Sequence, residues 1–202
     1  PVDAIDFPHR HCGTWYISDT RFGPMVHAQL FPGAENSGRL VALLRQKART
    51  VAEARGASLI LADGPPGIGC PVISSLSGTD LVVIVTEPTP SGRHDLKRAA
   101  RLCAHFNLPY GVIINKFDIN PVESQMIASF CLEQGHPVMG KLPHDNAITE
   151  AMVKSQTVTE YQNTALTNSI RRTWERIFTE AAATADTRVN YQTKIRKGVG
   201  NG

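Results

Sequence analysis

The fold is decided by one stretch of sequence, Leu59-Ile60-Leu61-Ala62-Asp63-Gly64-Pro65-Pro66-Gly67-Ile68-Gly69-Cys70. It predicts an apolar buried strand at residues 58–62 that ends on the carboxylate of Asp63 and runs into a stiff turn. Such a carboxylate can organise a Mg²⁺ ion through water, and Gly67 allows the backbone to come close to a phosphate. An Asp that only caps a turn is the alternative. The stretch therefore predicts one half of a nucleotide site.

Apolar strands and amphipathic helices alternate along the chain around this stretch. Two short strands are predicted at 14–18 and 26–31, and Asn36-Ser37 predicts the N-cap of a helix that Gly56 ends. Further strands are predicted at 81–85, 110–115 and 137–142, and further helices from Pro71 and at 92–106, 121–134, 147–154 and 164–183. Strands that are apolar throughout and alternate with helices predict an α/β fold with a mostly parallel sheet flanked by helices. Ligands of such sheets bind at the carboxyl ends of the strands.

Composition and charge are those of an ordinary globular domain. The chain has 202 residues, of which 42% are hydrophobic and 19% charged, and no run reaches the roughly 18–20 apolar residues that cross a bilayer. Without a secretion signal, a cytoplasmic location is expected. A net charge of +3 does not predict specific nucleic-acid binding. The basic residues near the C-terminus favour a solvated surface over membrane contact.

The cysteines and histidines predict no metal motif of their own. None of the four cysteines forms a C-x-x-C pair, and Cys103 and Cys131 have the apolar surroundings of core thiols. His9, His11 and Cys12 lie close together but lack a fourth ligand nearby, so a loop is expected there.

Polar turns follow the other predicted strands. They are Thr86-Glu87-Pro88-Thr89, Asn115-Lys116-Phe117-Asp118 and Pro143-His144-Asp145-Asn146. The Asn115 amide has both a donor and an acceptor for a purine edge, Pro143 can pack on a base, and Asp145 can read its edge. The Glu87 loop can contact nucleotide or a partner subunit. An Asx turn at Asn115, a plain loop at Glu87, and a helix N-cap at Asp145 or Asn146 are the structural alternatives.

As a set, these motifs resemble the MinD/ParA group of P-loop ATPases, also called the CobQ/CobB/MinD/ParA nucleotide-binding domain. They are most similar to a MinD-superfamily branch that carries an inserted bacterial-type ferredoxin. The resemblance covers about residues 26–160. It rests on Asn36-Ser37-Gly38-Arg39-Leu40-Val41, the segment from Asp63 to Ile73, Val85-Thr86-Glu87-Pro88-Thr89, Ser91-Gly92-x-His94-Asp95-Leu96 and Ile114-Asn115-Lys116-x-Asp118.

The resemblance implies a role for each part of the site. Asp63 would act on Mg²⁺ through water, and Gly67 would approach the γ-phosphate. The adenine would be held by Asn115, Lys116, Pro143 and Asp145, with Glu87 nearby, so Asn115-Lys116-x-Asp118 is not expected to be a guanine signature. ATP would be hydrolysed by a homodimer that works with a redox or iron–sulfur partner. Cys70 matches a cluster-holding cysteine of the more distantly similar nitrogenase iron protein, although a thiol near a subunit contact is the main expectation.

One part of the family pattern is absent from residues 1–202. The phosphate-binding sequence G-K-G-G-x-G-K-[ST] does not occur. Pro1-Val2-Asp3-Ala4-Ile5 resembles the end of a ferredoxin module, where proline follows the last cluster cysteine. The P-loop and the iron–sulfur ligands are therefore expected upstream of Pro1.

This expectation divides the chain into three parts. Residues 1–25 would be the remnant of the ferredoxin-like insert and a linker, 26–185 the C-terminal part of the ATPase domain, and 186–202 a basic flexible tail. The sheet would lack its P-loop strand and expose an edge that promotes self-association. The alternative function is a non-catalytic scaffold of this fold that binds no nucleotide.

Overall fold

A computed structural model describes residues 11–34 and 37–198, with side chains up to residue 185. The chain divides into two compact units between Ser77 and Gly78. Pro1–Ile5 and His9, which carried the ferredoxin and metal hypotheses, and Asn36, one of the two predicted cap residues, lie outside the described residues. No helix within the described ranges is long and apolar enough to span a membrane.

The first unit combines a β-hairpin with two helices. Strands β1 (Gly13–Thr20) and β2 (Gly23–Leu30) pair antiparallel, which confirms the two predicted strands. Helix α1 (Gly38–Arg55) begins where the Ser37 hydroxyl accepts a hydrogen bond from the Leu40 amide. It ends as predicted at Gly56, whose φ of 62° is left-handed. The short helix α2 (Cys70–Leu76) follows the turn, and Arg45 of α1 donates to the Ser77 carbonyl at 2.9 Å.

The predicted strand at residues 58–62 does not form. These residues have no regular secondary structure, and Leu59, Ile60 and Leu61 are 40%, 46% and 76% exposed. A strand is held by hydrogen bonds to a neighbouring strand, and no described strand pairs with this segment. Asp63 therefore does not end a buried strand in this structure, contrary to the prediction.

The second unit is built on a parallel three-stranded sheet. Its strands, in spatial order, are β3 (Val82–Thr86), β4 (Tyr110–Asn115) and β5 (Val138–Leu142). Helices α3 (Pro90–His105) and α4 (Pro121–Glu133) connect them, so the predicted α/β class with a parallel sheet and flanking helices is confirmed. The central strand β4 is buried almost throughout because both of its faces are covered.

The two predicted core thiols are confirmed. Cys103 and Cys131 are each 2% exposed and belong to the cluster around Val112 and Ile114. Burial raises the pKa of each thiol to about 11, because desolvation disfavours a thiolate. Both therefore stay protonated at neutral pH and serve packing.

Three helices complete the second unit. They are α5 (Ala147–Val153), α6 (Val158–Tyr161) and α7 (Ala165–Gly198). Helix α7 packs on β5, where Thr173 lies directly against Gly140 and Arg176 donates to the Met139 carbonyl at 3.4 Å. The helix continues beyond the predicted end at 183 through residues predicted to be frayed. No proline or glycine interrupts residues 184–197, so nothing in the local sequence stops the helix there.

Candidate functional site

The turn that follows Asp63 in the first unit is exposed to solvent. Asp63 and Gly67 are exposed, and Gly67 has a φ of 90°, which favours glycine. A Cβ placed on Gly67 would meet no atom within 4 Å, so a ligand can approach the backbone there. The sequence predicts close approach of a phosphate to Gly67, which stays a prediction; the left-handed φ is a further reason for glycine that the structure adds.

Asp63 belongs to no cluster of three or more potential metal ligands among the described residues. Among the described residues, no three His, Cys, Asp or Glu side chains lie close enough together to hold a metal ion. Mg²⁺ commonly keeps several waters and is held through one or two carboxylates and the phosphates of its substrate. The exposed carboxylate of Asp63 suits that kind of contact, and the described residues around it do not form a cage of protein ligands.

Cys70 is exposed at the first position of α2. The described residues place no group of three potential ligands around it. Its role toward an iron–sulfur cluster remains a prediction that rests on the resemblance alone.

The carboxyl ends of the three parallel strands lie side by side in the second unit. The register pairs Thr86 of β3 with Ile114 of β4, and Asn115 of β4 with Leu142 of β5. Glu87, Asn115 and Pro143 therefore stand at one edge of the sheet, as expected from the alternation of strands and helices. We call this edge, with the loops that begin at Glu87, Lys116 and Pro143, the polar edge.

Asn115 and Asp145 at the polar edge differ in their hydrogen bonding. Asn115 is half-buried, and its side-chain amide has no hydrogen-bond partner among the described residues. Asp145 accepts the Ala147 amide on Oδ1 at 2.9 Å, so it caps the start of α5. Asn146 occupies the N-cap position without a side-chain bond. The capping alternative therefore holds for Asp145, whose Oδ2 has no hydrogen-bond partner within the described ranges.

Lys116 and Glu87 contact each other. Lys116 Nζ lies 2.7 Å from Glu87 Oε1 across the ends of β4 and β3, with the two side chains 40% and 47% exposed. Lys116 has a left-handed φ of 53°, which is uncommon outside glycine, asparagine and aspartate. An ion pair this exposed adds only about 0–1 kcal/mol to stability. Its main consequence is that the positive charge of Lys116 and the negative charge of Glu87 offset each other at the polar edge.

The structure adds contacts at the polar edge that the sequence did not predict, two in the loop of Thr86 and Thr89 and one between Arg93 and Glu123. Thr89 accepts the Gly92 amide at 2.9 Å, and Thr86 donates to the Gly92 carbonyl at 3.0 Å, which fixes the loop after β3. Arg93 Nε lies 2.9 Å from Glu123 Oε2, with the Glu123 side chain only 13% exposed. Thr89 directly before Pro90 signals a helix N-cap, because threonine is favoured at the N-cap and proline at the first helical position. No local pattern signals a pair that is thirty residues apart.

Comparisons with known proteins were made by family, by sequence and by structure. No protein-family model matches the chain. It is 32% identical over 99 residues to the uncharacterized protein MJ0578 of Methanocaldococcus jannaschii, covering 49% of this chain and 34% of that protein. It is 28% identical over 125 residues to the cytosolic Fe-S cluster assembly factor Nubp1 homolog of Drosophila yakuba, covering 52% and 40%. The chain thus spans less than half the length of these curated relatives.

Solved structures show the class of fold. The chain matches MinD of the MinC:MinD cell division complex from Aquifex aeolicus with a TM-score of 0.61 and 17% identity, over 81% of this chain and 66% of the other. It matches Pyrococcus horikoshii MinD in complex with Mg-ADP with a TM-score of 0.58 and 17% identity, over 75% and 60%. The chain therefore has the fold of the MinD/ParA P-loop ATPases, which confirms the predicted resemblance at the level of fold.

Proposed function

We propose that this chain supplies the adenine-binding and metal-sensing parts of a MinD-like ATPase that hydrolyses ATP as a homodimer. The observation that carries the proposal is the polar edge, where Glu87, Asn115 and Pro143 follow three adjacent parallel strands of a MinD-type sheet. This is the edge at which open α/β sheets bind ligands. Within the part of the chain that the structure describes, the side-chain amide of Asn115 has no partner there, and it can pair with a purine.

The resemblance to the MinD/ParA ATPases gives a separate role to each of these residues. Asp63 orients the water shell of Mg²⁺, and the exposed backbone at Gly67 lies against the γ-phosphate. Asn115, Pro143 and Asp145 hold the adenine. Mg²⁺, when bound, neutralises charge that develops on the transferred phosphoryl group. The Mg-ADP complex of P. horikoshii MinD supports this nucleotide class.

The phosphate cradle comes from outside residues 1–202. The P-loop supplies backbone amides, a lysine on the β- and γ-phosphates and a hydroxyl on Mg²⁺, and this sequence has no such motif. We propose that an upstream segment of the same polypeptide provides it, together with a ferredoxin module that carries an iron–sulfur cluster. The length of the curated relatives leaves room for such segments.

The cellular context proposed is iron–sulfur chemistry in the cytoplasm. Its support is the match to Nubp1 homologues, whose name describes a cytosolic Fe-S cluster assembly factor. The partner would be a redox or iron–sulfur protein, with Cys70 as the candidate contact. Specific nucleic acid and membrane contact by the basic tail are not part of the proposal.

A second candidate is a scaffold of this fold that binds no nucleotide. The observation that favours it is the segment at 58–62, which is irregular and leaves Asp63 exposed rather than held at a strand end. A metal-sensing carboxylate needs a fixed position to act. The two candidates therefore differ in whether nucleotide binds at all.

Calorimetric titration with Mg-ATP separates the two candidates. The full-length gene product that contains this sequence is expected to bind Mg-ATP saturably. Residues 1–202 alone are expected to bind weakly or not at all, since they have no phosphate cradle. Absence of binding by the full-length product would reject the ATPase proposal in favour of the scaffold.

A further inference from the structure

Two loops of the polar edge are tied together by a side chain to which the proposed function gives no role. Asp118 Oδ1 accepts a hydrogen bond from the backbone amide of His144 at 2.7 Å. The two residues lie 26 positions apart in the sequence, one in the loop after β4 and the other in the loop after β5. A carboxylate that accepts a backbone N–H makes a charge-assisted bond, which is stronger than a neutral one.

A second contact fixes the residue on the other side of Pro143. The Phe117 amide donates to the Leu142 carbonyl at 3.1 Å, which extends the pairing of β4 and β5 past the end of β4. Leu142 and His144 are therefore both anchored to the loop after β4, and Pro143 is held between them. The bond from Ala147 to Asp145 fixes the same loop at its far end.

The hydrogen bond between Asp118 and His144 also affects which base the Asn115-Lys116-x-Asp118 motif can recognise. A carboxylate that pairs with the N1 and N2 donors of guanine turns both oxygens toward the base. In this structure Asp118 Oδ1 accepts the His144 amide, and the Lys116 ammonium lies 2.7 Å from Glu87 Oε1, so both side chains are oriented by contacts within the protein. The half-buried Asn115 amide remains open for a purine edge.

We propose that Asp118 is a positioning residue, which rests on the ATP site proposed above. It holds the loop at 143–146 so that Pro143 and Asp145 meet an adenine, and it does not read the base itself. Position 118 needs an oxygen acceptor to form this bond; the negative charge strengthens the bond but is not needed to form it. Asn keeps the acceptor and Ala removes it, so the two substitutions separate the roles.

The test measures ATP and GTP affinity of the full-length gene product as wild type, Asp118→Ala and Asp118→Asn, with amide exchange at His144 measured in parallel. Asp118→Ala is expected to weaken ATP binding about fivefold to tenfold, since one charge-assisted hydrogen bond is lost, and to speed exchange at His144. Asp118→Asn is expected to stay within about twofold of wild type in both measurements, because its Oδ1 still accepts the amide.

Three results would overturn the inference. Unchanged ATP affinity in Asp118→Ala would show that the loop at 143–146 binds adenine without the hydrogen bond from Asp118. Loss of ATP affinity in Asp118→Asn while His144 stays protected would show that the carboxylate contacts ligand directly. A wild-type preference for GTP that Asp118→Asn removes would show that Asp118 reads guanine, and this comparison stands even if Asp118→Ala does not fold. Failure of the proposed function looks different: wild type then binds neither nucleotide while His144 remains protected.

Discussion

Replacing Asp63 by Asn in the full-length gene product is expected to lower the rate of ATP hydrolysis by about a hundredfold or more. The substitution keeps the size of the side chain and removes the charge that is proposed to orient the Mg²⁺ water shell. Removing one such transition-state contact costs about 10²–10³ in rate. ATP affinity should change much less, because the substitution leaves Asn115, Pro143 and Asp145, the residues proposed to hold the adenine, unaltered. Steady-state phosphate release and equilibrium binding of a fluorescent ATP analogue measure the two quantities.

Asp19 provides a matched control for this substitution. It belongs to the same unit, its side chain is 80% exposed, and its contact is an exposed ion pair with Arg55 at 3.0 Å. Asp19→Asn should leave hydrolysis unchanged and alter the free energy of unfolding by less than about 1 kcal/mol. If Asp63→Asn hydrolysed ATP at the wild-type rate, the proposed role of Asp63 in orienting the Mg²⁺ water shell would be wrong.

Replacing Gly140 by Ala is expected to lower the free energy of unfolding of the second unit by about 2 kcal/mol, a typical cost of inserting an extra carbon into a well-packed core. A Cβ on Gly140 would overlap Thr173 of α7, lying 2.7 Å from its Cγ2 and 2.9 Å from its Cβ, with Oγ1 nearer still. Thr173 is 5% exposed, so it has little freedom to move away. Urea unfolding followed by circular dichroism measures the loss.

A double-mutant cycle separates this overlap from a general weakening of β5. Thr173→Ala removes the two outer atoms that the new Cβ meets, so the pair Gly140→Ala and Thr173→Ala should recover part of the loss, with a coupling of about 1 kcal/mol. Strictly additive effects would show that α7 does not pack on Gly140 in solution.

Local signals in the sequence were sufficient where an element depends on its own residues. Strand β4 was predicted to the residue because its apolar run is bounded by Pro109 and by the polar turn after Asn115. The start and end of α1 followed from a serine hydroxyl and a left-handed glycine. The parallel order of β3, β4 and β5 followed from their alternation with helices.

At residues 58–62 the local sequence signals were not sufficient, and the predicted strand does not form. Its apolar pattern indicates that these residues favour burial, but a strand also needs a neighbour that the pattern does not specify. Within the described residues that neighbour is missing, and Leu61 is 76% exposed. This exposed run agrees with the expectation that the chain associates with itself or with another polypeptide, which stays a prediction.

The contacts that organise the polar edge could not be predicted for a related reason. Lys116 meets Glu87, and Asp118 meets the backbone of His144, across large separations in the sequence. No periodicity or capping signal links residues so far apart. The sequence identified which loops meet at the edge, and the structure shows which of their side chains are already committed.

Photolabelling of the full-length gene product with 8-azido-ATP, followed by peptide mapping, tests the central claim most directly. The azide sits on the adenine, so the label reports which residues surround the base. We predict that ATP-protected label falls on peptides containing Asn115 or residues 143–145, and that GTP protects poorly. Label confined to other peptides, or label that excess ATP does not displace, would contradict the claim that the polar edge binds adenine.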